Sequence, residues 1–320
     1  MLWMNRDCMH QALDRTGLMD AVEKAYSLYE SGEFVMPLRP TLDMGRDTFM
    51  LMPCGTQETW GIKLLTITRG NPAAGRPMIE GLAALFDKET GAPQAMMDGQ
   101  ALTFLRTGAV GGAAIRRLAP EKARVLGVVG AGVQGLSQTL CACTARKIEE
   151  VWIADLYEAK VREMKEKLTQ ELPDLKVHRA SSPEEMLEHA EIVITTTTSR
   201  KPVLPDNPEK LRGKFYVGIG SYLPEMREYP DSFFSLPEVV YMDTEHALDE
   251  TGDLITPLEK KLLSRKKLRT FDSALREGLP PHAPESTVFF KSVGMALFDL
   301  VVGAALYRGA LAKGLGQELH

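Results

Sequence analysis

"VLGVVGAGVQGLSQTL", residues 125–140, is the stretch that decides the fold. Five mostly apolar residues run into Gly130, Gly132 and Gly135, and a helical pattern follows. A strand, a G-x-G-x-x-G turn and a helix in that order open a dinucleotide-binding unit. The first glycine permits the tight turn, the second lets the backbone approach a pyrophosphate, and the third lets helix and strand pack closely. The helix start adds unpaired N–H groups and a positive dipole end. Val133 and Gln134, between the second and third glycines, are expected to meet the cofactor with them. Asp155 follows Gly135 by 20 residues, at the end of the next strand-like run. A carboxylate there can bond both ribose hydroxyls of NAD and repels the extra phosphate of NADP, and no arginine follows it in "DLYEAK". The expected cofactor is therefore NAD, with NADP less favoured.

Working outward, the runs "VLGVV", "EVWIAD", "EIVITTTT", "KFYVGIGS" and "EVVYMD" read as strands buried on both faces, as in a parallel sheet. A helix with Val161, Met164, Leu168 and Leu172 spaced three or four apart lies between two of them. The alternation predicts a Rossmann-type, doubly wound α/β sheet. Thr196 and Thr197 of "ITTTTS" follow a strand at the ligand-binding end of such sheets, where they either hydrogen-bond the cofactor or fill the strand as β-branched residues. The first 115 residues mix patterns. "DAVEKAYSLYESG" reads as a helix that Asp20 and Glu23 begin with capping-box spacing and Gly32 ends. The strand-like runs "TFMLMP", "WGIKLLTIT" and "GLAALFD" follow it. The last segment, "STVFFKSVGMALFDLVVGAALYRGALAKG", reads as one long apolar helix that returns to pack on the first domain.

A chain of 320 residues with 44% hydrophobic content favours two domains. Its net charge of -5, with both signs interspersed, provides no basic field for nucleic acid or an anionic membrane, so a small molecule is the expected partner. "MLWMNRDCMH" lacks the pattern of a secretory signal, and "SVGMALFDLVVGAALY" is short for a membrane span and carries Asp299; the chain reads as cytoplasmic. Four cysteines have neither disulfide density nor zinc spacing, and the six histidines show no i,i+4 pair, so no metal is assigned.

Five landmarks in order then carry a resemblance that covers nearly the whole chain: "PLRP" around Arg39, "WGIKL" around Lys63, "LTFLRTGAVGG" around Arg106, "GAGVQG", and "FFKSVGMALFDL". Together they resemble the ornithine cyclodeaminase and mu-crystallin family, whose members bind NAD(P) and act on the carbon–nitrogen bond of α-amino or α-imino acids. The resemblance implies a nucleotide-binding domain over 116–297, inserted into an α+β domain over 1–115 and 298–320 that binds substrate and pairs two chains as a homodimer. It implies that Arg39 clamps the substrate carboxylate and that Arg106 contacts substrate and cofactor, a task suited to a planar guanidinium that stays charged. Lys63, which from its strand pattern alone would snorkel to water, becomes the group that moves a proton at the substrate nitrogen. Enclosed with two arginines, it is expected to hold its proton less tightly than usual. Thr107, Gly220 and Ser292 join the cofactor residues and Val293 the substrate residues by the same resemblance.

One stretch departs from the cyclodeaminase pattern. Where those enzymes and the family's alanine dehydrogenases have an aspartate in G-x-D-x-P-G-K, this chain reads "GSYLPEMRE", with Tyr222 in its place and Met226 where the lysine would be. Glu225, Arg227 and Glu228 instead resemble the mu-crystallin branch, which reduces cyclic ketimines. Tyrosine, with an ordinary pKa of about 10, is a poor base near neutrality. Tyr222 is accordingly a candidate for a minor catalytic part. The leading expectation is an NAD(P)H-dependent oxidoreductase of a small, cyclic α-imino or α-amino acid. A cyclodeaminase that converts ornithine to proline and ammonia, an amino-acid dehydrogenase, and a nucleotide-binding crystallin-like protein without catalysis are the alternatives.

Overall fold

A computed structural model describes residues 1–37, 40–45, 47–278 and 281–319. The chain divides into two compact units, Met1–Ala109 with Met295–His320, and Val110–Gly294. The divisions fall inside the helix Gly99–Leu118 and just after Gly294, where the sequence reading had 115/116 and 297/298.

The second unit is built on an eight-stranded sheet. Its spatial order is Lys176–Arg179, Glu150–Ala154, Val125–Val129, Ile192–Thr195, Phe215–Gly218, Val288–Lys291, Val239–Met242 and Leu268–Thr270, and every pair is parallel. Leu126, Val128, Ile153, Val193, Ile194, Val217 and Phe290 are buried, which explains why their runs are apolar without alternation. From Val125–Val129 the chain winds outward in one direction through Glu150–Ala154 and Lys176–Arg179. It then returns to pair Ile192–Thr195 with the other edge of the first strand. This reversal is the topological switch point, and open α/β sheets bind their ligands at the carboxyl ends of the two strands that flank it. The glycine turn and Thr196–Thr197 lie at those two ends.

The first unit holds a mixed sheet in the order Gln317–Glu318, Leu2–Met4, Pro93–Asp98, Ile79–Asp87, Thr59–Ile67, Asp47–Thr56 and Phe34–Val35, with Thr41–Met44 also paired to Asp47–Thr56. One sheet face, with Met52, Lys63, Leu65, Ala83, Leu85 and Met97, is buried. The helix Ala296–Lys313 packs on the central strands and on the helix Arg15–Ser31, with Tyr26 edge-on to Phe298 at 5.0 Å. On the other face Leu51, Leu64 and Leu82 lie side by side, as do Ile62, Ala84 and Met96, all half-buried. Among the described residues no helix is long and apolar enough to cross a membrane.

Two expected boundaries move. The early helix starts at Arg15, because Asp14 rather than Asp20 caps it, accepting from Gly17 N at 2.7 Å. Gly32 ends it in the left-handed region, as expected. The C-terminal run is a strand and a helix rather than one helix. Val288–Phe290, β-branched and aromatic, join the parallel sheet, and Gly294, at φ 77°, lies between that strand and the helix that starts at Ala296.

Candidate functional site

In the second unit the three glycines do three different things. Gly130 has φ 105°, and a Cβ there would stand 2.7 Å from Thr196 Oγ1. A Cβ on Gly135 would strike the Gly130 carbonyl oxygen, so helix Val133–Ala145 can sit this close to its strand only with glycine. Gly132 meets nothing within 4 Å. As the residue before the helix it supplies no side-chain cap, and the space beside it is open to a ligand. Val133 next to it is exposed, and Gln134 Oε1 is buried without a hydrogen-bond partner among the described residues. A glycine cradle whose middle position is open, at the switch point of a parallel sheet, fits a dinucleotide pyrophosphate. Asp155 stands just past its strand; its Oδ2 accepts from Ala131 N (2.7 Å) and its Oδ1 from Tyr157 N (2.8 Å). The carboxylate is thus fixed against the turn it was expected to serve.

Thr196 donates to the Gly130 carbonyl at 2.9 Å and so closes the turn from the neighbouring strand. Thr197 and Gly220 are held by a residue the sequence reading used only as a branch marker, Glu228. This fully buried carboxylate accepts from Thr195 Oγ1 (2.9 Å), Thr197 N (2.6 Å), Thr197 Oγ1 (2.9 Å), Gly220 N (2.9 Å) and Ser221 N (3.2 Å). A side chain on Gly220 would run into Thr197 backbone. Asp253 Oδ1 accepts from the backbone of Glu228 (2.8 Å) and Tyr229 (3.2 Å), and Lys291, fully buried, donates to the Gly218 carbonyl at 3.1 Å. Burial pushes Glu228 and Asp253 up and Lys291 down, while the attraction of the lysine for both carboxylates works against those shifts. A second missed carboxylate, Asp243, receives Ser292 Oγ (2.7 Å), Val293 N (2.8 Å) and Gly294 N (2.6 Å) on one oxygen. Ser292 is therefore buried and Val293 half-buried at a pinned bend. Tyr222 is half-buried on the segment that joins Ser221 to Met226.

In the first unit Lys63 does not snorkel to water. It is 1% exposed, and its Nζ donates to Asp299 Oδ1 at 2.6 Å. Arg106 Nε lies 3.0 Å from the same oxygen, near enough to pair but without an aligned hydrogen bond. Asp299 Oδ2 is buried with no hydrogen-bond partner among the described residues. The surroundings of Lys63 include a group the sequence reading did not name, the Asp299 carboxylate against the ammonium. Asp299 could have been noticed as the lone charge in "GMALFDLVVGAAL", but its sequence reading stopped at the argument against a membrane span. Cys54 senses the same charge: burial first, and Asp299 second, push its thiol up to about 12 against a hydrogen bond from the Gly55 backbone. Thr107 is buried next to Arg106 in sequence. Arg39 lies outside the described residues. Among the described residues no cluster of three or more His, Cys, Asp or Glu could hold a metal ion.

Residues 3–314 match the sequence profile of the ornithine cyclodeaminase/mu-crystallin family. A Delta(1)-pyrroline-2-carboxylate reductase of Bacillus cereus is 30% identical over 293 residues, 89% of each chain. The ketimine reductase mu-crystallin of Macropus fuliginosus is 30% identical over 300 residues, 91% of each. Among solved structures, the Delta(1)-pyrroline-2-carboxylate reductase of Thermococcus litoralis, in complex with NADH and L-proline, superimposes with a TM-score of 0.92 at 25% identity over all of both chains.

Proposed function

The chain belongs to the ornithine cyclodeaminase/mu-crystallin family, and from that premise we propose that it is an NADH-dependent reductase of a small cyclic α-imino acid, a five- or six-membered ketimine carboxylate. It is an NAD(P)-dependent oxidoreductase that acts on carbon–nitrogen bonds. The observation that carries the finer reading is the buried cluster of Lys63, Asp299 and Arg106: one proton-bearing amine, one guanidinium and one carboxylate, enclosed in the first unit. Imine reduction needs a hydride at carbon and a proton at nitrogen. When bound, the dinucleotide supplies the hydride. Lys63 Nζ gives the proton as the C=N pair moves onto nitrogen, and the lysine is left neutral. Arg106, with Arg39, holds the substrate carboxylate and so fixes which face of the imine is presented.

In the second unit Gly130, Gly132, Val133, Gln134 and Gly135 cradle the pyrophosphate, and Asp155 takes the ribose hydroxyls, which supports NADH over NADPH. By the family resemblance, Thr107, Thr196, Thr197, Gly220 and Ser292 are proposed as further cofactor residues and Val293 as a substrate residue. Tyr222 stands at the position where the cyclodeaminase pattern has its aspartate, which supports reduction over deamination: a cyclodeaminase needs a base for the amino group it expels. The half-buried apolar sheet face around Leu51, Leu64 and Leu82 supports pairing of the first unit with a second copy of the chain. The test is absorbance loss at the nicotinamide band with Delta(1)-pyrroline-2-carboxylate and either NADH or NADPH. Oxidation of NADH with formation of proline is the expected result. Preference for NADPH would remove the role given to Asp155, and ammonia released from ornithine without net change in NADH would replace the reductase by a cyclodeaminase.

A further inference from the structure

We propose that Asp299 is a positioning residue of the reaction, which keeps Lys63 charged until the imine takes its proton and holds Arg106 beside it; this rests on the reductase reading above. The geometry is that of one oxygen shared by two cations. Asp299 Oδ1 takes the Lys63 ammonium at 2.6 Å and lies 3.0 Å from Arg106 Nε, while its Oδ2 accepts nothing among the described residues. Asp299 stands in the first turn of the helix Ala296–Lys313, where the helix dipole favours a carboxylate, and helix packing fixes it against the sheet.

Other described groups lining the same small space are Met52, Ala83, Met97 and Leu102, which carry no charge. Cys54, on the adjoining strand, is held as a neutral thiol. Among the described contacts, Asp299 favours the charged form of Lys63, and Arg106 and burial oppose it. The arrangement has a consequence for the chemistry. Before the reaction Lys63 and Arg106 carry two positive charges against one negative. When Lys63 Nζ gives its proton to the imine nitrogen, the lysine becomes neutral and Asp299 is left paired with Arg106, so neither state strands a buried carboxylate alone. Water returns the proton to Lys63 before the next turnover.

The experiment compares wild type, Asp299→Asn and Asp299→Glu in both directions across pH. Reduction needs Lys63 protonated and oxidation of the cyclic amino acid needs it neutral. Without the carboxylate Lys63 gives up its proton at lower pH, so the alkaline limb of reduction and the acidic limb of oxidation both move to lower pH. Ketimine reduction by Asp299→Asn should then fall about tenfold or more at alkaline pH relative to its own value at pH 6, while oxidation near neutrality is spared. Asp299→Glu should recover part of the wild-type profile. A loss equal in both directions at every pH, with unmoved limbs, would reduce Asp299 to a structural residue and overturn the proposal. The second readout needs no turnover: in protein labelled with 13Cε-lysine, the Lys63 resonance, identified by its absence in Lys63→Met, should titrate at lower pH in Asp299→Asn than in wild type. Identical titrations overturn the proposal even where wild type reduces the ketimine. A wild type that reduces no ketimine sinks the reductase reading and leaves the titration to decide Asp299.

Discussion

Each unit buries a carboxylate among cations and donors, and the two are finished to different degrees. Glu228 is saturated: hydroxyl and backbone donors that follow or end the strands Ile192–Thr195 and Phe215–Gly218 converge on it, with Lys291 as the buried counter-charge. Asp299 is not. One of its oxygens is shared by two cations and the other accepts nothing among the described residues, while Arg106 Nε beside it forms no aligned hydrogen bond there. A carboxylate whose acceptor sites are all used fixes the groups that donate to it, whereas one left partly unused costs stability and persists where a ligand or a reaction completes it; Asp253 Oδ2, beside Glu228, is also buried without a hydrogen-bond partner among the described residues. The Glu228 cluster holds the Thr197 and Gly220 loops in place, and on the proposed function the Asp299 cluster is the one that substrate completes.

The most severe way to break the contrast is Glu228→Ala. It strands Lys291 with less compensation and leaves the Thr197, Gly220 and Ser221 N–H groups without their acceptor. Loss of one partner from a buried charged cluster costs about 3–5 kcal/mol, so the urea midpoint should fall steeply, and NADH affinity should weaken as the loops are released. A variant within about 1 kcal/mol of wild type would show that the network is dispensable scaffolding. In the first unit the corresponding change is Lys63→Met, which nearly keeps the side chain's length and removes the proton. Its effect should lie in chemistry: kcat down about a hundredfold or more, with NADH affinity, measured by fluorescence, unchanged. If Lys63→Met weakens NADH binding as much as turnover, the assignment of the two clusters to two tasks is wrong.

What could be read from the sequence follows the same division. The glycine turn was legible because each glycine answers a local constraint, a positive φ, an open approach or a backbone contact, and local constraints leave local patterns. The parallel strands were legible because burial on both faces removes alternation. The C-terminal strand was missed because "VFFKSVGMALFDL" is apolar throughout, and length alone does not separate a buried strand from a buried helix. Asp299 and Glu228 were missed as site residues for a different reason. Lys63 and Asp299 are 236 positions apart, and Glu228 and Thr195 are 33 apart, so nothing near either carboxylate in the chain announces its partner. A lone charge in an apolar helix was the one available signal, and it asks for a counter-ion without naming it.

The smallest expected effect is also the most direct report on the Asp299 charge. Cys54 titrates at about 12 chiefly because it is buried and secondarily because Asp299 faces it. Held so far above the ordinary thiol range, Cys54 carries little reactive thiolate at pH 8, so an aromatic disulfide reagent should modify half-buried Cys143 well before Cys54, as peptide mass spectrometry of the native protein would show. Asp299→Asn removes the lesser of the two causes. Cys54 should therefore react a few-fold faster at pH 8 while remaining far slower than Cys143, since burial, the larger cause, is untouched. Glu228 is not among the groups that shift this thiol, so a conservative Glu228→Gln should leave its rate alone in protein that remains folded. A Cys54 rate that rises to that of Cys143 in Asp299→Asn would mean that the cluster had opened rather than lost a charge. In that event the pH profiles of the same variant would have to be read as the consequence of solvent entry, and the contrast between a finished and an unfinished network would rest on the Glu228 side alone.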